Sequence, residues 1–246
     1  MMDAPVEDLA RTLRADLREA HTAAWEWIAQ SGTWLTGEQC VAIAREVRNA
    51  SGCDFCRRRL AALSPMTMAG QHDGLGELSD LQVDIVHRFV TDQARLTEKW
   101  LAGVVDQGIG EGEYVEIAVV VAMVMIMDRF NWGIGLSSAD LPAPQPGKLT
   151  RYRPPGAKKN VAWVATLAPE DVVPEDGPLY PPRGAANIQR AFSLVPDAKR
   201  AYWDLVDVHY VPTEEFMNLT TDIRAIGRPQ IELLASYVSE LHNCFY

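Results

Sequence analysis

Apolar residues recur every three or four positions through most of the chain, which is the spacing of one face of an α-helix. The first stripe is preceded by Asp3 and Pro5, which suit a helix cap and a first turn, and Gly32 ends it. Its apolar positions are Val6, Leu9, Leu13, Leu17, Ala20, Ala24 and Ile28. We therefore predict that the chain opens with one long amphipathic helix.

Capping boxes predict where two later helices begin. Thr36 is followed three residues later by a glutamine, and Ser79 has the same partner at the same spacing. A further helix is predicted to restart at Thr91 or Asp92. About six helices are expected by residue 135.

One of these six is apolar on every side. The run from Ile117 to Met127 contains three consecutive valines, which on their own would suit a β-strand. The surrounding segment, 111–132, has no turn signal over more than 20 residues, and this length favours a helix. Because a bilayer span needs roughly 20 apolar residues, we predict a buried helix and no membrane segment.

Proline divides the chain. Ten of the fifteen prolines fall in residues 137–186, which predicts an extended connector without regular structure. Helical spacing resumes beyond it. We predict three parts: a helical unit at 1–136, the proline-rich connector at 137–186, and a partial second helical unit at 187–246.

Composition narrows the classes of function. The chain has 246 residues, a net charge of −10 and a pI of about 5.0, which argues against a nucleic-acid-binding face. The N-terminal segment is acidic and has no apolar core, so no signal peptide is predicted. Four cysteines in such a chain indicate a reducing compartment. We therefore expect a cytoplasmic protein.

The clearest chemical motif is Cys53-Asp-Phe-Cys56 at the start of a predicted helix. Unpaired backbone N–H groups and the helix dipole favour a thiolate there, and the cations of Arg57, Arg58 and Arg59 are expected to lower the thiol pKa further. The second thiol is close enough to resolve a sulfenic acid. A redox pair, half of a metal site and two inert buried thiols all remain open.

A zinc site needs two more ligands. His72 and His87 are the nearby candidates, and there is no second Cys-x-x-Cys. We therefore expect a redox-active disulfide and no cofactor, with zinc as the alternative. Cys40 lies on an apolar helix face and is expected to be core, and His242 is expected to end the last helix.

The cysteine motif has a partial second copy at the C-terminus. A helix beginning near Pro229 leads to Cys244 as the earlier helix leads to Cys53, and eleven residues separate Glu232 from Cys244. The apolar positions of this helix are Ile231, Leu234, Ala235, Val238 and Leu241.

These motifs resemble the carboxymuconolactone decarboxylase and alkylhydroperoxidase D superfamily. Its peroxidase branch carries Glu, eleven residues, Cys-x-x-Cys, three residues and His. The resemblance implies an all-α, AhpD-like helical bundle of two pseudo-repeated units joined by a proline-rich crossover, and usually a trimer or hexamer. It also implies a relay of Glu and His that activates a cysteine.

Neither copy has the complete pattern. In the first copy, Val41 and Leu60 stand where the family has Glu and His. A composite site is therefore expected, in which Glu232 or Cys244 approaches the first cysteine pair. Substitute members of the proton relay are expected among Glu46, Glu116 and His87.

The resemblance implies a thiol-dependent peroxidase or disulfide oxidoreductase, in which Cys56 attacks the peroxide and Cys53 resolves the product, although the order of the two is open. Its partners would be a small peroxide and a thiol or dithiol electron donor, within a homo-oligomer and without nucleic acid or membrane. The alternatives are a cofactor-free decarboxylase or lactone enzyme of the same superfamily, and a non-catalytic binding or assembly protein.

Overall fold

The computed structural model describes residues 13–181, 186–242 and 244, and this part of the chain forms eight α-helices without a β-sheet. The helices are α1 (Ala15–Ala29), α2 (Gly37–Ala50), α3 (Asp54–Ala61), α4 (Asp80–Thr91), α5 (Glu98–Asp106), α6 (Glu111–Gly133), α7 (Pro196–His209) and α8 (Arg228–Leu241). The predicted all-α class and the six helices before residue 135 are confirmed. The predicted start of the first helix, at Asp3 and Pro5, lies outside the described residues.

Helix starts follow local sequence. Thr36 and Ser79 each accept a hydrogen bond from the backbone N–H three residues on, so both predicted capping boxes are confirmed. The predicted restart at Thr91 or Asp92 is wrong. The next α-helix begins at Glu98, because the Thr97 side chain caps it by accepting from the N–H of Trp100 at 3.2 Å.

Helix α6 is the centre of the bundle. Seven side chains between Ile117 and Met127 are at most 2 % exposed, which confirms the prediction of a buried helix. Helices α2, α4 and α7 pack against α6, and α1 packs against both α2 and α7. The predicted division at 137–186 remains a prediction. Helix α7 and the two residues before it nevertheless contribute to the same hydrophobic core as α2 and α6, through Leu194, Val195, Ala198 and Leu205.

The proline-rich segment is irregular and is bonded to the bundle. Its backbone N–H groups at Gln145 and Arg151 donate to the carbonyls of Ala29 and Thr33, at 2.8 and 3.0 Å. Leu167 is fully buried, and its N–H donates to the Ser193 hydroxyl. The segment thereby covers the end of α1 and the loop that follows it.

Helix α8 buries little of its apolar face. Ile231 is buried, whereas Leu234, Val238 and Leu241 are each more than half exposed. Among the described residues, no helix combines the length and hydropathy that a membrane span needs.

Two histidines join α1 to α7. The Nε2 atoms of His21 and His209 lie 2.8 Å apart, so one imidazole donates to the other, and both rings pack on Phe130. Burial lowers the pKa of His21, and burial together with the charges of His21 and Arg14 lowers the pKa of His209 to about 4. The pair is therefore neutral in the folded protein near pH 7.

This pair is expected to make the fold less stable in mild acid. The unfolded chain protonates its histidines near pH 6.5, and the folded pair protonates only at lower pH, near 4 for His209. The unfolded state therefore binds more protons across this window, and the free energy of unfolding falls as the pH drops through it. We expect His209 to contribute on the order of 2 kcal/mol of this loss, measured by urea unfolding across that pH range.

The variant His209→Gln is expected to flatten the pH dependence, because it removes the group with the lowered pKa. The exposed His242, replaced in the same way, is the matched control and is expected to keep the original slope. Equal slopes for the His209→Gln and parent proteins would contradict this assignment.

Candidate active site

The Cys-x-x-Cys motif forms the start of α3. Cys53 is the N-cap residue, and its sulfur accepts from the N–H groups of Cys56 and Asp73, both at 3.5 Å. Both cysteine residues are 2 % exposed. The sequence-based expectation that backbone donors point at the first sulfur is therefore confirmed.

Two histidines from separate elements complete a cluster around the thiols. The Nδ1 atom of His87, on α4, lies 3.2 Å from the Cys56 sulfur. The Nδ1 atom of His72, on the loop between α3 and α4, lies 3.3 Å from the Cys56 sulfur and 3.7 Å from the Cys53 sulfur. The four side chains thus bring two sulfur and two nitrogen atoms to within 4.8 Å of one another. We call these four residues the thiol–imidazole cluster.

Each imidazole of the cluster is held by a carboxylate on its far side. His87 donates from Nε2 to Oε1 of Glu46 at 2.7 Å, and His72 donates from Nε2 to Oδ1 of Asp84 at 3.0 Å. Since a carboxylate only accepts, each ring carries its proton on Nε2 and presents the Nδ1 lone pair to the thiols. The cluster therefore contains two carboxylate–imidazole–thiol chains.

Glu46 belongs to the interior and is not a solvated charge. It is fully buried on α2 and also accepts from the Leu75 N–H at 3.0 Å and from Asn49 at 2.9 Å. Burial acts to raise its pKa, but the hydrogen bonds from His87, Leu75 and Asn49 together lower it below the usual value. Glu46 is therefore ionised near neutral pH.

The pKa of the Cys56 thiol is raised, whereas the sequence led us to expect cysteine pKa values lowered by the neighbouring cations. Burial raises the pKa of this thiol to about 11, and the neighbouring Cys53 acts in the same direction. Arg57 and Arg58 pair with the exposed Asp54 at the surface, so their charges are screened by solvent. Arg59 acts to lower this pKa, as expected of a nearby cation, but burial outweighs it, so the resting Cys56 is a neutral thiol.

Only the third arginine reaches the cluster. Arg59 is fully buried, with one guanidinium nitrogen 3.9 Å from the Cys56 sulfur and another 3.2 Å from Asp84. Its Nε atom has no hydrogen-bond partner among the described residues. Arg59 is therefore a cation placed to stabilise negative charge that develops on Cys56.

Proton acceptors for the thiols are present. Burial lowers the pKa of His87, so its ring is neutral and able to take a proton on Nδ1. Burial opposes the charge of Asp84, but the hydrogen bond from His72 and the guanidinium of Arg88 together hold its pKa well below the usual range. Cys56 thus faces the neutral base His87, and each imidazole of the cluster is backed by an ionised carboxylate.

The other candidates from the sequence lie elsewhere. Glu232 accepts from Tyr210 at 2.8 Å and from Arg228 at 2.6 Å, so its hydrogen bonds do not go to the first cysteine pair. The Cys244 side chain is exposed, and its N–H donates to the Ser239 carbonyl. A composite site built from Glu232 or Cys244 stays a prediction.

Glu116 is buried at a structural position. Its carboxylate accepts from the N–H groups of Thr33, Trp34 and Leu35, at 2.6–3.0 Å, and burial raises its pKa. It therefore fixes the loop between α1 and α2. Cys40 is buried in the hydrophobic core, as expected.

Sequence reasoning missed the role of Asp84, and it did not separate Arg59 from Arg57 and Arg58. Asp84 stands three residues before His87 on α4, where i and i+3 side chains are neighbours, and that spacing was the available signal. Arg59 lies three residues after Cys56 and follows the same rule. His72 was recognised only as a possible metal ligand, because its approach depends on how the loop folds.

Asp84 also connects the cluster to the surface. It lines an open cleft of about 380 Å³ between α4 and α5, together with Arg88 and Trp100.

Comparisons of the chain with protein-family models, curated proteins and solved structures find no match. The thiol–imidazole cluster itself is therefore the evidence on function.

Proposed function

We propose that this protein is a thiol-dependent oxidoreductase of alkylhydroperoxidase type, which reduces small hydroperoxides through Cys53 and Cys56. The observation that carries the proposal is the continuous chain from Glu46 through His87 to the Cys56 sulfur, with distances of 2.7 and 3.2 Å. A buried thiol with a raised pKa needs such a base to become a nucleophile.

In the first step, Cys56 attacks the terminal oxygen of the hydroperoxide. His87 takes the thiol proton, a sulfur–oxygen bond forms, and the peroxide O–O bond breaks. His87 then gives the proton to the departing alkoxide, so that an alcohol and a Cys56 sulfenic acid result. Glu46 stabilises the transient imidazolium, and Arg59 stabilises the developing thiolate.

In the second step, Cys53 attacks the sulfur of the sulfenic acid. His72 takes the Cys53 proton and passes it to the departing hydroxide, so that water leaves and a disulfide forms. A small dithiol or a thiol protein then reduces the disulfide with two electrons and two protons. We assign Cys56 as the attacking thiol because its sulfur lies 3.2 Å from an imidazole nitrogen, whereas the Cys53 sulfur lies 3.7 Å from one.

The proposal also includes the arrangement of the chain in two pseudo-repeated units and its assembly into a homo-oligomer. Helices α2 and α8, each leading to a cysteine, support two pseudo-repeated AhpD-like units, with a relay that departs from the family spacing because His87 comes from α4. The exposed apolar face of α8 supports a homo-oligomer, and the reduced thiol pair suits the cytoplasm.

Peptide mass spectrometry after exposure to an organic hydroperoxide tests the proposal. Trypsin releases residues 49–57, which carry Cys53 and Cys56. We expect this peptide to lose two hydrogens within one turnover and to regain them with a dithiol, because the second thiol condenses with the sulfenic acid. The metal-free, reduced protein is used.

Two comparisons make the result specific. The variant Cys53→Ser is expected to accumulate a Cys56 sulfenic acid, and Cys56→Ser is expected to leave Cys53 reduced. Cys40 is the internal control, since burial and the charge of Glu116 raise the pKa of its thiol and its side chain lies in the hydrophobic core. An unchanged 49–57 peptide would exclude the peroxidase and favour a thiol-independent enzyme or a binding protein.

A further inference from the structure

We propose that the thiol–imidazole cluster is also a tetrahedral site for a zinc ion, with Cys53, Cys56, His72 and His87 as the four ligands. The site lies at the start of α3, and the proposal does not depend on peroxide chemistry, since the ion would be bound by the reduced thiols. Cys₂His₂ is one of the donor sets that structural zinc prefers.

The separations of the donor atoms fit such a site. Bonds of about 2.3 Å to sulfur and 2.0–2.1 Å to nitrogen place the corners of a tetrahedron about 3.3–3.8 Å apart. The Cys56 sulfur lies 3.2 and 3.3 Å from the two imidazole Nδ1 atoms, and the Cys53 sulfur lies 3.7 Å from the nearer one. Metal binding therefore requires only small shifts of side chains.

The orientation of the imidazoles is a second, independent observation. Histidine ligands of zinc commonly donate their other ring N–H to a carboxylate, which fixes the tautomer and the ring plane. Both histidines do so here: His87 donates to Glu46 and His72 donates to Asp84. Two Nδ1 lone pairs thus converge on the space between the two sulfurs.

Charge balance also favours a divalent ion. When the ion binds, two S–H bonds break, two protons leave to solvent, and two zinc–thiolate bonds form without electron transfer. The net charge of the cluster is unchanged. The surrounding carboxylates of Glu46 and Asp84 are matched by the guanidinium groups of Arg59 and Arg88.

Zinc and a disulfide exclude each other at this site, because both need the sulfur lone pairs. A bound ion would hold the thiols in the reduced form and tie the His72 loop to α3 and α4. Oxidation of the pair would release the ion.

Cobalt substitution tests the site without using activity. The full-length, reduced, metal-free protein is titrated with Co²⁺ under nitrogen and then with Zn²⁺. We expect one equivalent of Co²⁺ to give the intense visible bands of a tetrahedral site and a thiolate charge-transfer band. One equivalent of Zn²⁺ is expected to abolish both. A weak octahedral spectrum, or none, would overturn the proposal.

Variants assign the ligands. The change His72→Asn is expected to lower the apparent affinity at least about 100-fold, beyond the 10–100-fold typical of an outer-sphere group. The change His72→Cys is expected to retain binding and strengthen the charge-transfer band, so a folding defect at this position is distinguishable from the loss of a ligand. The matched control is His209→Asn, and its titration is expected to equal that of the parent.

The outcomes separate this proposal from the proposed peroxidase. Oxidation of the metal-free pair without any metal binding would overturn the zinc site alone. Metal binding by a pair that never forms a disulfide would overturn the peroxidase alone. Equal affinities for the parent and the His72→Asn protein would also contradict the assigned ligand set.

Discussion

Replacing His87 with glutamine is expected to slow oxidation of Cys56 by hydroperoxide about 10²–10⁴-fold, the usual contribution of a positioned general base. The Cys56 thiol is protonated at rest because burial raises its pKa to about 11. Glutamine cannot take the thiol proton or return it to the alkoxide. The rate is measured in the metal-free protein by acid quenching and mass spectrometry of the 49–57 peptide.

A change of substrate distinguishes proton transfer from a structural effect. A peroxyacid expels a carboxylate, which departs without a proton, so the His87→Gln protein is expected to recover part of its lost rate with this oxidant. A general distortion of the site would slow both oxidants equally. The exposed His242, replaced by glutamine, is the control, and its rate is expected to equal that of the parent.

Glu46 acts through His87 and is a positioning residue. Glutamine at this position can still accept from the imidazole Nε2–H, so the tautomer is kept, whereas the negative charge and the acceptor for the Leu75 N–H are lost. A hydrogen bond to a charged group contributes about 1.5–3 kcal/mol, so a loss of about 10–100-fold is expected. The peroxyacid is expected to restore less of the lost rate here than in the His87→Gln protein, because without the carboxylate the His87 imidazolium gives its proton to the alkoxide more readily, and only its uptake of the thiol proton is weakened.

Replacing Glu116 with glutamine is expected to lower the free energy of unfolding by about 2–4 kcal/mol. Its two oxygens accept from three backbone N–H groups in a buried loop between α1 and α2. The amide retains one acceptor oxygen and turns its NH₂ group toward remaining donors. Denaturant unfolding at neutral pH measures the change.

The exposed Glu26 on α1 provides the control for this prediction. Its replacement by glutamine is expected to change the free energy of unfolding by less than about 0.5 kcal/mol, as is usual for surface substitutions. The change Gly32→Ala tests the same contact from the other side, since an added Cβ would collide with the Glu116 carboxylate. Near-neutral effects of both Glu116→Gln and Gly32→Ala would show that the loop does not depend on this carboxylate.

Local signals predicted much of the fold. The capping residues Thr36 and Ser79, and the apolar run in α6, act through neighbours within a few positions, and the structure agrees with each. The failure at Thr91 has the same origin. A polar residue there resembles a cap, but its hydroxyl donates to the His87 carbonyl one turn back, inside α4.

The candidate site was predictable only in part. Cys53 and Cys56 were recognisable because their spacing is local, and Glu46 and His87 were recognised as substitutes without their pairing. That pairing depends on the packing of α2 against α4, 41 residues apart in the chain. The approach of His72 to the thiols, likewise, depends on the path of a loop that has no periodic signal.

The sequence also misjudged the charges around the thiols. The sequence does not distinguish between the three consecutive arginines, Arg57, Arg58 and Arg59. In the helix, the first two side chains point toward Asp54 and solvent, and the third points toward the interior. A count of neighbouring cations therefore overstated their effect on the Cys56 pKa. Burial, which only the folded chain creates, reverses the direction of the shift.

All six groups of the two carboxylate–imidazole–thiol chains lie between Glu46 and His87, whereas α7, which closes the same core, begins at Pro196. During synthesis the ribosome therefore releases the complete set of reactive groups more than 100 residues before the helix that completes the core. The nascent chain carries these thiols while its core is still open. Any oxidant or metal ion that the chain meets during translation therefore encounters these six groups before the core has closed.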